Sequence, residues 1–269
     1  MNDASIGIFD SGMGGLTVMR ALIARLPKER YLYLGDTARL PYGTKSADTV
    51  ARYSVQAASA LVKRRIKLLV VACNTASGVA LPALKEAFAP LPVIDVIAPG
   101  AEAALAASPD GPIAVIATEG TVKAGAYGRA IHACAPNVEV TQQPCPLFVP
   151  LAEEGLVDGM IVELIAHRYL DPVLARKPQA LVLGCTHYPA LKGAIGKVAG
   201  PDVKLVDSAE STAIRVEQQL RELNLFRQSP DPPDHLFLST DAPERFARVG
   251  EIFLGRRIDP ESVELVDLQ

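Results

Sequence analysis

The chain has little of several things. It carries only four cysteines and four histidines in 269 residues, and 27 Lys+Arg against 30 Asp+Glu leave a net charge of just −3. That weakly acidic balance excludes a general nucleic-acid binder, which needs a basic stripe. No uninterrupted apolar stretch reaches the ~18 residues that cross a bilayer. Residues 1–9 have neither the basic start nor the long apolar run of a secretory signal. An even cysteine count allows two disulfides, but that inference belongs to short secreted chains. No Cys-x-x-Cys is present, so a dithiol redox site and a zinc site both lack their usual spacing. These absences lead us to expect a cytoplasmic globular protein with free thiols, no metal, and neither membrane nor nucleic acid as partner.

Hydrophobic residues make up 49% and charged residues 21%, enough for a packed core. At about 150 residues per domain, the length fits two domains or one large one. Short apolar runs recur at Ile6–Phe9, Tyr31–Leu34, Leu68–Ala72, Val93–Ile97, Ile113–Ala117, Leu181–Leu183, Lys204–Val206 and Leu236–Leu238. Most are continuous rather than alternating, as in strands buried on both faces of a parallel sheet. Helical periodicity is clearest at Leu16–Leu26, Ala47–Lys63 and Ser211–Leu223, the last opened by Ser211 as its expected N-cap. Alternation of strand and helix predicts an α/β fold.

Leu69-Val70-Val71-Ala72-Cys73-Asn74-Thr75 echoes Leu181-Val182-Leu183-Gly184-Cys185-Thr186-His187. Each reads apolar strand, small residue, Cys, then two polar residues. The echo predicts two pseudo-symmetric α/β domains with mostly parallel sheets and a cleft between them. Chain crossings are expected at Ala98-Pro99-Gly100 and after Val206-Asp207. They place residues 1–97 with 208–269 in one domain and 98–207 in the other.

Three motifs carry chemistry. Asp10-Ser11-Gly12-Met13-Gly14-Gly15 follows a strand and precedes a helix, a turn that can approach a small anion. It is neither a dinucleotide fingerprint nor a Walker loop. Cys73-Asn74-Thr75 ends another strand, where α/β sheets bind ligands. A helix starting near Ala76 would help form a thiolate there. Gly184-Cys185-Thr186-His187 ends a third strand and sets a His two residues from a thiol. Taken singly, each Cys reads as readily as a buried packing residue.

Together they say more. Thiols at equivalent places in two similar halves can face each other across one cleft. Opposed bases at one carbon are what stereoinversion requires: one removes the Cα proton and the other returns a proton to the opposite face. A thiol's ordinary pKa of ~8.5 suits either role. No lysine stands in a Schiff-base context, so nothing calls for pyridoxal phosphate.

At this level of detail the chain closely resembles the glutamate racemases of the aspartate/glutamate racemase superfamily, from about Ile6 to Leu220. The resemblance rests on Gly7–Thr17, Gly35–Gly43, Ala72–Ala76, Ala117–Thr121, Cys145–Pro150 and Gly184–Pro189. It implies a cofactor-independent enzyme that interconverts L- and D-glutamate and supplies D-glutamate for peptidoglycan, commonly as a homodimer. It implies that Cys73 takes the proton of D-glutamate and Cys185 that of L-glutamate, supported by Asp10 and His187. Asp36 and Glu153 match further acidic positions near the site. Ser11, Tyr42, Gly43, Asn74, Thr75 and Thr186 would hold the substrate along with Asp10 and His187, with Thr118 and Thr121 behind them. Aspartate racemase is the alternative within the superfamily. A solute-binding protein or a thiol–disulfide protein fits the motifs less well.

The remaining features read blandly. Cys134 lies in the apolar helical run Ala130–Ala135 and is expected in the core, and Cys145 is expected to pack. Lys63-Arg64-Arg65 and Arg256-Arg257 read as solvated helix ends.

Overall fold

The computed structural model describes residues 2–268. In chain order the elements begin with β1 (Ile6–Asp10), α1 (Leu16–Arg25), β2 (Tyr31–Gly35), α2 (Ala47–Val62), β3 (Leu68–Val71), α3 (Asn74–Phe88) and β4 (Val93–Asp95). There follow α4 (Ile97–Ala107), β5 (Ile113–Ala117), α5 (Glu119–Ala124), α6 (Ala126–Cys134), β6 (Val140–Pro144), α7 (Phe148–Glu153) and α8 (Met160–Leu174). The chain ends with β7 (Ala180–Gly184), α9 (Lys192–Ala199), β8 (Lys204–Asp207), α10 (Ser208–Glu222), β9 (His235–Ser239), α11 (Pro243–Leu254) and β10 (Val263–Leu265).

The strands form two sheets, ordered β10-β9-β2-β1-β3-β4 and β6-β5-β7-β8, and each strand pair is parallel. The fold is therefore α/β, as the apolar runs predict. The orders β2-β1-β3-β4 and β6-β5-β7-β8 are the same topology used twice. In that correspondence β3 matches β7, so Cys73 and Cys185 follow equivalent strands, and Asp10 of β1 corresponds to Ala117 of β5. The central strands β1, β3, β5 and β7 are buried throughout. That explains their continuous Ile, Val and Leu content, because helices cover both sheet faces.

A single apolar cluster joins the halves. It runs from Ile8, Met19 and Leu22 of the first through Ala213 and Val216 of α10 to Leu170 and Leu183 of the second. No helix among the described residues is long and apolar enough to cross a membrane.

Four local features add to or correct the sequence reading. The Ala98–Gly100 stretch is helical and forms the first turn of α4, because Asp95 Oδ1 accepts from the N–H groups of Ile97 and Ala98 at 2.8 and 2.9 Å. Pro99 fits there because a first-turn N–H has no intrahelical acceptor. Ser211 is not the cap of α10: the helix starts three residues earlier, capped by Asp207, whose Oδ1 accepts from Ala209 N at 2.8 Å. Cys134 is exposed, not in the core. It is the last residue of α6, whose inward face carries Tyr127, Gly128 and Ile131 and then runs out. Finally, β6 and β10 lacked an apolar signal. They are edge strands, and the Val-Thr-Gln-Gln-Pro run of β6 is half-buried along its whole length.

Candidate active site

The site gathers at the C-terminal ends of β1, β3, β5 and β7. Asp10 closes β1 and is fully buried, with Oδ2 accepting from Gly12 N at 2.9 Å. Ser11 lies against Cys73, with the thiol donating to its Oγ at 3.4 Å. Cys73 caps α3, its Sγ accepting from Ala76 N at 3.5 Å. The helix begins at Asn74, two residues before the start expected from sequence. Its dipole does not govern the thiol, however. Burial first, then the charge of Asp10, push Cys73 up to about 12, against the lowering bonds from Ser11 and Ala76. Burial likewise raises the carboxyl of Asp10 above its ordinary range.

The other thiol has the opposite surroundings. Cys185 Sγ is 3.9 Å from Nδ1 of His187, and Nε2 of the same ring is 3.1 Å from Glu153 Oε1. The other carboxylate oxygen of Glu153 accepts from the Arg245 guanidinium at 3.1 Å. Burial disfavours the His187 imidazolium, but contacts with Cys185 and Glu153 outweigh it and raise the ring to about 10. Glu153 is shifted down: burial opposes its charge, but His187 and Arg245 overcome that. So an acidic side chain, Asp10, stands beside Cys73, and an imidazole held toward its charged form stands beside Cys185.

The two halves are closed on each other. Cys73 and Cys185 are only 5% and 6% exposed, and the charge of one raises the other, Cys73. Thr17 of α1 donates to the backbone oxygen of Thr186 at 3.2 Å. A Cβ at Gly14 would fall 2.4 Å from His187 Nδ1 and 2.5 Å from Thr186 Oγ1, so only glycine allows this approach. A Cβ at Gly43 would fall 2.7 Å from Thr118 Cβ. The hydroxyls of Thr75, Thr118 and Thr121 lie 2.9, 3.2 and 3.0 Å apart in a ring spanning both halves. Among the described residues, Asp10 Oδ1 and Asn74 Nδ2 are buried without hydrogen-bond partners.

Thus Asp10, Ser11, Cys73, Asn74, Thr75, Thr186, Cys185, His187 and Glu153 assemble at the junction. Asp36 and Tyr42 are occupied with each other. Tyr42 donates its hydroxyl to Asp36 Oδ2, while Arg39 and Thr240 fill the rest of that carboxylate at 2.7 and 3.0 Å. Cys145 is buried in the core, its thiol donating to Gln143 O at 3.6 Å. Sequence reasoning missed three residues: Thr17, Tyr127, which donates to Asn74 Oδ1 at 2.7 Å, and Arg245. Thr17 ends the Gly7–Thr17 motif without a chemical reading of its own, and Tyr127 and Arg245 stand in no motif. Among the described residues, no group of three or more His, Cys, Asp or Glu is placed to hold a metal ion.

Twin parallel α/β units, each with a buried thiol after an equivalent strand, fit a racemase-type isomerase. Residues 6–216 match the family described as Asp/Glu/Hydantoin racemase. The glutamate racemase of Geobacter metallireducens is 52% identical over 254 residues, 94% of each chain, and that of Syntrophus aciditrophicus is 48% identical over 98% of this chain and 96% of its own. The crystal structure of glutamate racemase from Francisella tularensis, in complex with D-glutamate, superposes with a TM-score of 0.93 at 41% identity, over 100% of this chain and 99% of that one. RacE1 from Bacillus anthracis gives 0.94 at 38% identity, with the same coverage. The chain belongs to the Asp/Glu/Hydantoin racemase family, and its near relatives there are glutamate racemases.

Proposed function

We propose that this chain interconverts L- and D-glutamate by cofactor-independent two-base proton transfer between Cys185 and Cys73. The observation that carries the reading is the placement of the two thiols after equivalent strands, with Asp10 beside one and His187 beside the other. In the L-to-D direction the Cys185 thiolate takes the Cα proton, and the Cα–H electron pair stays on carbon. The Cys73 thiol then gives its proton to the opposite face and becomes the thiolate. The reverse reaction exchanges the roles, so no net charge is created.

The step is hard because a carbanion beside a carboxylate is close to a dianion. Donors fixed in a dry cleft stabilise it far better than water does. Asn74 Nδ2, buried and unpartnered, and the hydroxyls of Ser11, Thr75 and Thr186 are donors of the right kind. Asp10 favours the protonated form of Cys73, and His187 stabilises negative charge on Cys185. Turnover of L-glutamate needs Cys185 deprotonated and Cys73 protonated, and turnover of D-glutamate needs the converse. Because substrate must enter a closed site, the halves 1–97 with 208–269 and 98–207 would part and close in each cycle.

The physiological role we infer is supply of D-glutamate for peptidoglycan in the cytoplasm. A homodimer is the expected assembly, and Met160, Ile161 and Leu164 on α8 are exposed apolar side chains that a second copy would cover. Sedimentation velocity checks this. To test the substrate, L-glutamate and L-aspartate are followed in parallel by loss of ellipticity. The reading predicts rapid loss for glutamate, and turnover of aspartate alone would contradict it.

A further inference from the structure

We infer that Arg245 is a positioning residue that completes the Cys185–His187–Glu153 relay from the opposite half of the molecule. The inference rests on the glutamate racemase reading and goes beyond it, because Arg245 lies beyond the matched family region, residues 6–216, and far from any thiol in sequence. Cys185, His187 and Glu153 all belong to the half built on the four-stranded sheet. Arg245 sits on α11, which follows β9 of the six-stranded sheet.

The geometry is a chain of three contacts. The Arg245 guanidinium donates to Glu153 Oε2 at 3.1 Å, Glu153 Oε1 faces His187 Nε2 at 3.1 Å, and His187 Nδ1 faces Cys185 Sγ at 3.9 Å. A second guanidinium contact reaches Glu154 Oε1 at 3.8 Å. The Glu153 side chain is only 9% exposed, so its second oxygen has little access to water and depends on the guanidinium. The same helix also supplies Phe253, whose ring meets the His187 imidazole edge to face at 5.0 Å. Helix α11 therefore fixes the ring through Phe253 and the acid through Arg245.

The titratable and charged groups facing this pair are Cys185 on its own loop, Asp10 at the end of β1, Glu154 just past α7 and Arg245 on α11. Arg245 is the cation that crosses between the halves in this group. The relay is thus complete only when the halves are closed. Without the guanidinium the Glu153 carboxylate loses its second anchor and rotates or takes up a proton, and His187 loses the partner that orients it toward Cys185. Arg245 touches neither thiol, so it acts through Glu153.

The test uses the full-length protein with Arg245→Met, which keeps the apolar stem, and Arg245→Gln should the methionine variant fail to fold by far-UV circular dichroism. We expect kcat to fall roughly tenfold to a hundredfold, within the range of acid–base positioning, with KM little changed. L- and D-glutamate have equal free energy in water, so kcat/KM must fall by the same factor in both directions. Arg245→Lys should recover most of the loss. In a Glu153→Gln background, Arg245→Met should cause no further loss, because the two act as one unit. Wild-type kcat in a folded Arg245 variant, or losses that multiply with Glu153→Gln, would overturn the inference. If the unmutated protein does not racemise glutamate, the functional reading itself fails, a result separable from the variant outcome.

Discussion

The Tyr127 hydroxyl donates to Oδ1 of Asn74 at 2.7 Å, and this fixes the amide with its Nδ2 buried and unpartnered at the cleft. A free amide could turn either end toward the substrate. Tyr127 ensures that the donor end is presented. Tyr127→Phe keeps the ring and removes the lock. Losing one hydrogen bond of about 1 kcal/mol predicts a KM for glutamate raised about fivefold to tenfold. Steady-state kinetics check it, and an unchanged KM would mean the orientation of Asn74 does not matter.

Gly14 is the point where the β1 loop meets His187 and Thr186. Its missing Cβ leaves no gap, since an added one would stand 2.4 Å from a ring nitrogen. Gly14→Ala should cost about 1–3 kcal/mol of stability by overpacking and displace His187 from Cys185. The expected result is a folded protein with at least a hundredfold less racemisation. Near-native turnover in this variant would show that the contact is dispensable.

The His187–Glu153 pair ties stability to pH. The folded pKa of His187 is raised to about 10 from 6.5. Its contribution is therefore fully present below about 6.5 and is lost as pH rises through about 10. Glu153 is held low, so its contribution is present above its ordinary value of 4.5 and is lost as pH falls through the depressed one. Between pH 6 and pH 10 the urea midpoint should drop more for the wild type than for His187→Gln. Equal drops in the two proteins would remove the pair as the cause.

Asp10 is a buried carboxyl whose pKa burial raises, and Oδ1 has no partner among the described residues. Its ionised form costs stability at neutral pH. Asp10→Asn should raise the thermal midpoint, by roughly 1 kcal/mol of stability, while lowering kcat. A lower midpoint with intact folding would refute the idea that this site trades stability for charge.

Much of this was legible in residue order. Continuous apolar runs identified most strands because those strands are buried on both faces. The Cys73 and Cys185 echoes matched because β3 and β7 hold the same place in twin sheets. What escaped had physical reasons. The edge strand β6, rich in Thr and Gln, has no buried face to mark it. Cys134 looked apolar by neighbourhood, but the inward stripe of α6 stops one turn before it. A helix starting near Ala76 is expected from sequence to favour the Cys73 thiolate, yet burial and Asp10 outweigh the helix end. Tyr127 and Arg245 reach the site only through tertiary contact, which no local spacing encodes.

The central claim is that two thiols act on opposite faces of Cα, and early exchange in deuterium oxide tests it most directly. With L-glutamate as substrate, the account predicts that the first D-glutamate formed carries deuterium at Cα while the remaining L-glutamate keeps its proton. The reason is that Cys73 delivers solvent-derived hydrogen and Cys185 retains the abstracted one. Cys73→Ser and Cys185→Ser should each abolish racemisation. Deuterium entering L- and D-glutamate at equal early rates, or D-glutamate forming with its original proton, would contradict the two-base account.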